Sequence, residues 1–265
     1  MATCHIMLWN IRFGGGRRVS DILKVIADHA PDVTVLAEFM NNNNGIGLRA
    51  GLRRQGLKFQ AAPNAPSREL SVLIASRRKF IPRTLERELP LWPYRALRGN
   101  FKSFTVVGFY VPTMERKRPL LQWMRSAARK MLQTPTLLIG DFNTGIPYID
   151  ERDAELTCAA EFREVLQAGW IDLYRVRHAE SRERSFYERP WLGYRIDHAL
   201  GSPSFNQYVR EVFYSHERAV CRDFRSLITA SGRRFAAKRP LSCAHARWLR
   251  FGGVVAPEVQ PLKRT

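Results

Sequence analysis

The sequence predicts an α/β protein, and three observations carry that prediction. Apolar runs of strand length recur at residues 5–9, 33–37, 70–75, 103–111 and 137–140, bounded by turn-forming residues. The first two enclose an amphipathic helix and are joined to it by short links, the order of a strand–helix–strand unit. Several of the runs also end on a single polar residue, as strands do when they deliver side chains to a ligand at one edge of a sheet.

The elements follow in order. His5–Trp9 reads as a buried strand ending at Asn10, with Gly14–Gly16 as the loop behind it. Ser20 or Asp21 can cap a helix whose Ile22, Val25 and Ile26 share one face, and Pro31 closes it. Val33–Ala37 is the next strand and delivers Glu38. The asparagine run Asn41–Asn44 with Gly45 reads as a loop, and 46–55 as a short helix stopped by Gly56. Strands are expected at 70–75 and 103–111, with an irregular Pro- and Arg-rich connection between them. A helix over 119–133 turns Leu121, Met124, Ala128 and Met131 inward, the methionines as core filler. After the strand at 137–140 come a helix near 153–168, strands near 194–200 and 209–214, and a last strand at 225–229.

At 265 residues the chain is long enough for one large domain with a sizeable core. Its 43 Lys and Arg against 24 Asp and Glu give a net charge of +19, a surface that attracts polyanions. Cys4, Cys158, Cys221 and Cys243 show neither CxxC pairing nor zinc spacing, which suits free thiols in a reducing compartment. Neither a signal-peptide pattern nor an apolar run of membrane-spanning length is present, so the expectation is a cytoplasmic protein. Residues 231–265 carry eight basic residues and one acid without clear periodicity. They read as a basic extension to a domain over 1–230 that adds nonspecific phosphate affinity.

The centre of the chain is Leu137-Leu138-Ile139-Gly140-Asp141-Phe142-Asn143-Thr144. Residues two apart in an extended chain point the same way, so Asp141 and Asn143 are expected to project together from a strand end. A carboxylate and an amide so held could orient and deprotonate a water; the plainer reading is a strand ending in an Asx-turn. Asn10, Glu38 and Asp197 also stand at strand ends after apolar runs, and Tyr110 lies on a fifth. Polar groups are costly beside a core unless they work together. Carboxylates and amides at several strand ends suggest an oxygen-lined site for Mg²⁺, which takes few protein carboxylates and shares phosphate oxygens with its substrate. With no histidine or cysteine at these positions, structural zinc is not expected.

Seven motifs in order, LWNIR, PDVTVLAEF, SVLIASR, FYVPT, IGDFNTG, GWIDLYR and GYRIDHALGSP, resemble the endonuclease/exonuclease/phosphatase superfamily, the DNase I-like and exonuclease III-type enzymes, over residues 5–228. The resemblance implies a four-layer sandwich, two packed mixed β-sheets flanked by helices, and Mg²⁺- or Mn²⁺-dependent hydrolysis of a phosphate ester. In it, Glu38 matches the metal-binding glutamate, Asn10 supports metal and phosphate, and Tyr110 matches a tyrosine that contacts phosphate. Asp141 matches the aspartate that prepares the attacking water, and Asn143 the asparagine that holds the phosphate. Asp197 matches the partner of a catalytic histidine.

The family's last motif is Ser-Asp-His. Here Cys221-Arg222-Asp223-Phe224-Arg225-Ser226 stands in that place, so Asp223 matches a metal-site aspartate but phenylalanine replaces the histidine. Phenylalanine neither donates a proton nor hydrogen-bonds a phosphoryl oxygen. His216, just upstream, is a candidate replacement. His198 should face away from Asp197 and fill the core, and His245 lies in the basic extension.

The expected function is a divalent-metal-dependent phosphodiesterase acting on DNA as a monomer, with Arg12, Arg17 and Arg18 placed for the phosphate backbone. The alternatives are a catalytically impaired relative that binds nucleic acid, and a phosphatase of lipid or inositol phosphates.

Overall fold

The structure, a computed structural model, describes residues 4–153, 156–189, 191–216 and 246–251. In chain order the strands are β1 (Cys4–Asn10), β2 (Val33–Phe39), β3 (Phe59–Ala61), β4 (Ser71–Ser76), β5 (Ile81–Thr84), β6 (Ala96–Asn100) and β7 (Thr105–Tyr110). They continue as β8 (Thr136–Asp141), β9 (Ile171–Asp172), β10 (Phe186–Arg189), β11 (Leu192–Tyr194), β12 (Asp197–Gly201), β13 (Val209–Ser215) and β14 (Ala246–Phe251). The helices are α1 (Val19–His29), α2 (Asn43–Arg54), α3 (Arg118–Met131), α4 (Ala159–Gln167) and the single turn α5 (Pro203–Asn206).

Alternation along the strands sets the layers. In β1, Ile6 and Leu8 enter one core cluster while Met7 and Trp9 enter another; β2 and β4 divide their side chains the same way. The second cluster also takes Ile22, Val25 and Ile26 of α1 and Leu48 and Leu52 of α2. In β8, Leu137 and Ile139 join the cluster shared with β1, and Leu138 turns to Leu121 and Met124 of α3 and Phe162 of α4. Strands buried on both faces are apolar throughout, which is why these runs read as continuous rather than alternating. The layers are therefore helices, sheet, sheet, helices, the four-layer sandwich expected of the DNase I-like fold.

The first sheet has the order β13-β14-β1-β2-β4-β3 and the second β5-β6-β7-β8-β12-β9, with β10 and β11 a separate hairpin. Glycine allows the two sheets to close on each other: a Cβ on Gly108 of β7 would stand 2.7 Å from Val35 Cγ1 of β2. The direction of the strands matters more for function. β1 and β2 run parallel, β7 and β8 run parallel, and β12 is antiparallel to β8 with Asp197 facing Asp141 in register. The carboxyl ends of four strands and the amino end of a fifth thus reach one rim.

Several expectations are revised. The connection between 76 and 102 is not irregular, since it contains β5 and β6, with β5 paired antiparallel to β6 and β6 to β7. Arg and Pro obscured them: the four residues of β5 are all exposed, an edge strand with no apolar face to show. The asparagine run is half helix. Asn42 caps α2, its side chain accepting from the Gly45 amide at 3.0 Å, and the helix begins at Asn43. Helix α1 begins at Val19, so Ser20 and Asp21 lie in its first turn rather than at its cap. The expected strand at 194–200 is split at Arg195 and Ile196. Helix α4 is shorter than 153–168. The strand expected at 225–229 lies outside the described residues.

Ala246–Phe251 falls in the stretch that reads as an extension, yet it pairs antiparallel with β1 on one side and β13 on the other. Those six residues belong to the sheet. Without them the apolar β1 would present an unpaired edge. Cys4 and Cys158 are buried free thiols. Among the described residues no helix is long and apolar enough to cross a membrane.

Candidate active site

Each sheet contributes part of the site at the common rim. From the first sheet come Asn10, the last residue of β1, and Glu38, next to last in β2. The β2–β4 register shifts between Ala37 and Phe39, and Glu38 there takes a positive φ of 58°. A bulge re-aims one side chain, and the strain of a left-handed glutamate persists only where surroundings hold it. They do: the Glu38 carboxylate accepts from Asn10 Nδ2 at 2.8 Å and from the Phe13 amide at 2.9 Å.

From the second sheet come Tyr110, Asp141 and Asp197. The same Asn10 Nδ2 donates to Asp141 Oδ2 at 2.8 Å, so one amide nitrogen ties a carboxylate of each sheet. The Asn10 carbonyl oxygen accepts from the Arg12 amide at 2.9 Å, which fixes which end of the side chain faces the acids. Tyr110 is opposite Asp141 in the β7–β8 register. Burial pushes its phenol up from the ordinary range, and the negative charges of Glu38 and Asp141 push it further against the opposing Arg95 cation. The guanidinium of Arg95 lies 4.7 Å from the ring centre, within cation–π range.

Asn143 reaches the site by another route than the one expected. Strand β8 ends at Asp141, and Asn143 has a φ of 50°. Its amide donates to Asp141 Oδ1 at 3.0 Å, an Asx-turn, and its side chain donates to the Val111 carbonyl at 2.7 Å. Turn chemistry, not the strand pleat, relates the two residues. The plainer reading, a strand ending in an Asx-turn, describes this geometry.

Asp197 Oδ2 accepts from Ser185 Oγ at 2.8 Å, and that hydroxyl in turn accepts from the amides of Ile196 and Asp197. Tyr214 donates to the Asp197 carbonyl at 3.0 Å. His198 faces the other way, as alternation requires: it is fully buried, 2.8 Å from the Thr144 carbonyl through Nε2, with its ring against Phe142 and Phe162. His216, past the end of β13, places Nε2 2.7 Å from Glu183 Oε1. Of the basic residues expected on phosphate, Arg17 is exposed. Arg18 braces the loop by donating to the carbonyls of Ile11 and Arg12 at 2.8 and 3.0 Å. Asp223, Phe224 and His245 lie outside the described residues.

Sequence reasoning missed three contributors. Lys117, only 2% exposed, donates from Nζ to the carbonyls of Asn143 and Thr157. Burial pulls its ammonium below the ordinary lysine range, and the nearby acids, Asp141 among them, pull it back. Ser185 was invisible in an Arg- and Glu-rich stretch. Arg195 is fully buried, its Nε 2.7 Å from Asp150 and its Nη2 2.6 Å from Asp172. The one signal for it was the recurrence of charge inside GWIDLYR and GYRID, where a buried cation needs acids of its own.

The model of the Endonuclease/Exonuclease/phosphatase family matches residues 7–219. Among solved structures, an AP endonuclease from Archaeoglobus fulgidus superposes with a TM-score of 0.73 at 18% identity, covering 94% of this chain and 99% of that one. A 3′ phosphatase from Neisseria bound to a product DNA hairpin gives 0.72 at 20% identity, covering 94% and 100%. A 3′–5′ exonuclease from Neisseria meningitidis gives 0.70 at 21% identity, covering 93% and 99%. With the family's match running across both sheets and every strand end of the site, this chain belongs to the Endonuclease/Exonuclease/phosphatase family.

Proposed function

We propose that the chain is a divalent-metal-dependent phosphodiester hydrolase acting on DNA. One observation carries the reading: a single amide, Asn10 Nδ2, stands 2.8 Å from both the Glu38 and the Asp141 carboxylates. Two buried acids from separate sheets are held together where a cation would relieve their mutual repulsion.

The donor set fits Mg²⁺ or Mn²⁺. The acids at the rim are hard oxygen donors, and among the described residues no three of His, Cys, Asp and Glu converge on one point. A cation there would rely on one or two carboxylates, waters and substrate oxygens, the habit of Mg²⁺. Glu38 would hold it, with Asn10 orienting the acids through its Nδ2 and Asp223 the further candidate from the sequence. When bound, such an ion neutralises phosphate charge and eases attack on phosphorus.

The remaining roles belong to the side chains. Asp141, kept in place by Asn10 and by the Asn143 amide, takes a proton from the attacking water. The water oxygen forms its bond to phosphorus as the bond to the departing sugar oxygen breaks, and that oxygen takes up a proton from solvent. Tyr110, kept protonated by burial and by the acids beside it, donates to a phosphoryl oxygen. Lys117 places its ammonium behind the Asn143 carbonyl and steadies the turn that orients Asp141. DNA is supported as substrate by the net charge of +19, and by the DNA hairpin in a relative of the same fold.

A second reading rests on the sequence resemblance, in which Phe224 replaces the family's histidine: a relative that binds nucleic acid but turns it over poorly. DNA nicking with Mg²⁺ or Mn²⁺ separates the two, using the protein, Asp141→Ala and Phe224→His. The first reading expects metal-dependent nicking that falls about 10²–10⁴-fold in Asp141→Ala. A silent parent beside an active Phe224→His would establish the second. Silence from all three would overturn DNA hydrolysis.

A further inference from the structure

Next to the reaction rim lies a groove that the hydrolytic reading does not use. It has a volume of about 430 Å³ and runs between the 148–152 loop and the β10–β11 hairpin. Tyr148, Tyr187 and Trp191 line it together with Arg152, Arg182 and Arg184. Trp191 is 72% exposed and Tyr148 68% exposed, so two large aromatic surfaces face water on opposite banks. Large aromatics left in solvent this way mark surfaces that meet a partner.

The groove is built rather than incidental. Tyr148 holds a left-handed backbone, φ 64°, at the turn that carries its ring outward. Arg182 donates to the Tyr148 carbonyl at 2.7 Å and Arg184 to the Ile149 carbonyl at 3.1 Å, so the two banks are fastened together by the arginines that line them. Each of these bonds uses one of the five N–H donors of its guanidinium. Gly193 opens the floor: a Cβ there would stand 2.6 Å from Tyr187 Cε1, and its absence allows that ring to lie across the hairpin. The acid on the lining, Glu151, already accepts from the Leu156 amide at 2.9 and 3.1 Å.

Rings on the banks with arginines between them fit one chemistry, a nucleobase on a phosphodiester backbone. Every base offers a face for stacking and every phosphate a charge for arginine. A paired base offers neither face, because its neighbours in the duplex cover both. Along the chain the groove's residues run directly into those of the reaction rim. Arg184 precedes Ser185, the hydroxyl on Asp197, and Gly193 lies four residues before Asp197 on the adjoining strand.

We propose that this groove binds unpaired nucleotides of single-stranded DNA beside the reaction rim, bases on Trp191 and Tyr148 and phosphates on Arg152, Arg182 and Arg184. The choice of DNA rests on the hydrolytic reading above; the preference for unpaired bases rests on the groove itself.

The test is binding without turnover. Fluorescence anisotropy in EDTA would compare an oligothymidylate, a blunt two-stranded DNA duplex and heparin, for the protein, Trp191→Ala, Tyr148→Ala and Trp191→Phe. The proposal expects each alanine variant to lose about 5- to 100-fold in affinity for the oligothymidylate. Affinity for the blunt duplex and for heparin should change less than about twofold, and Trp191→Phe should keep most of the binding. Equal losses on all three ligands, or none on the oligothymidylate, would overturn it. Nicking by the same preparations keeps the two readings apart. A protein that cleaves but ignores Trp191→Ala loses the groove and keeps the hydrolase. One that binds through Trp191 without cleaving does the reverse.

Discussion

Asn10 makes the proposed reaction centre a single object, because its amide is what Glu38 and Asp141 share. Asn10→Ala leaves both acids without that donor. We expect turnover of nicked DNA to fall by about 10–100-fold, the range seen when a group that orients a metal site is removed. Asn10→Asp should do worse than alanine, since a third carboxylate adds repulsion where the amide supplied a bond. Steady-state kinetics against Mg²⁺ concentration would check both. A different expectation attaches to His216. If it served as the missing proton donor, His216→Ala would cost two orders of magnitude or more in turnover. Its bond to Glu183 gives it a structural partner instead, and we expect a change below about tenfold in the same assay.

At the scale of the element, the cap of α2 gives a clean measurement. Asn42→Ala removes the side chain that accepts from the Gly45 amide, and should cost about 1 kcal/mol, read as a lower midpoint in urea at unchanged slope. The same helix shows why some elements were hidden in the sequence. Asparagine favours both turns and caps, so Asn41–Asn44 announced a boundary without saying on which side of it the helix begins. The doubly buried strands were plain because their apolar runs have no competing explanation, and so their polar ends, Asn10, Glu38 and Asp141, were plain with them. Strand β5 was not, since an exposed edge of Ile81, Pro82, Arg83 and Thr84 has no periodicity to find. Lys117 and Ser185 escaped for another reason. Their importance depends on contacts with Asn143 and Asp197, residues far off in the chain, and nothing local distinguishes them from a solvated lysine or serine.

Across the whole molecule, charge acts in two ways. Outside, a net +19 should make DNA binding strongly dependent on salt. An interface that neutralises about six to ten phosphates loses roughly 10³–10⁵ in affinity between ~50 and ~200 mM salt. A plot of log affinity against log salt measures the slope. Inside, Arg195 fastens Asp150 and Asp172 beneath the rim. Burial alone would raise both carboxyl groups, but the adjoining Arg195 cation outweighs it and holds them below the ordinary range. Depressed carboxyl groups contribute stability that is complete above the unfolded value of about 4 and drains away as pH falls toward the folded one. Thermal melting should therefore hold steady near neutrality and decline below about pH 4. Asp172→Asn should flatten that acid limb while costing about 3–5 kcal/mol at pH 7, because it leaves Arg195 buried with half its countercharge.

The Asn10 amide has one more consequence. It bridges the two sheets at the site, as Tyr214 does nearby by donating to the Asp197 carbonyl, so the proposed catalysis depends on a seam rather than on either layer. Apolar surfaces can slide by a fraction of an ångström at little cost, but a bond of 2.8 Å to each of two acids cannot follow them. The protein should then behave as its own alignment gauge. In rising urea, nicking activity should fade before the far-ultraviolet signal of the strands does, and the gap between the two curves would measure how far the halves can drift while each stays folded.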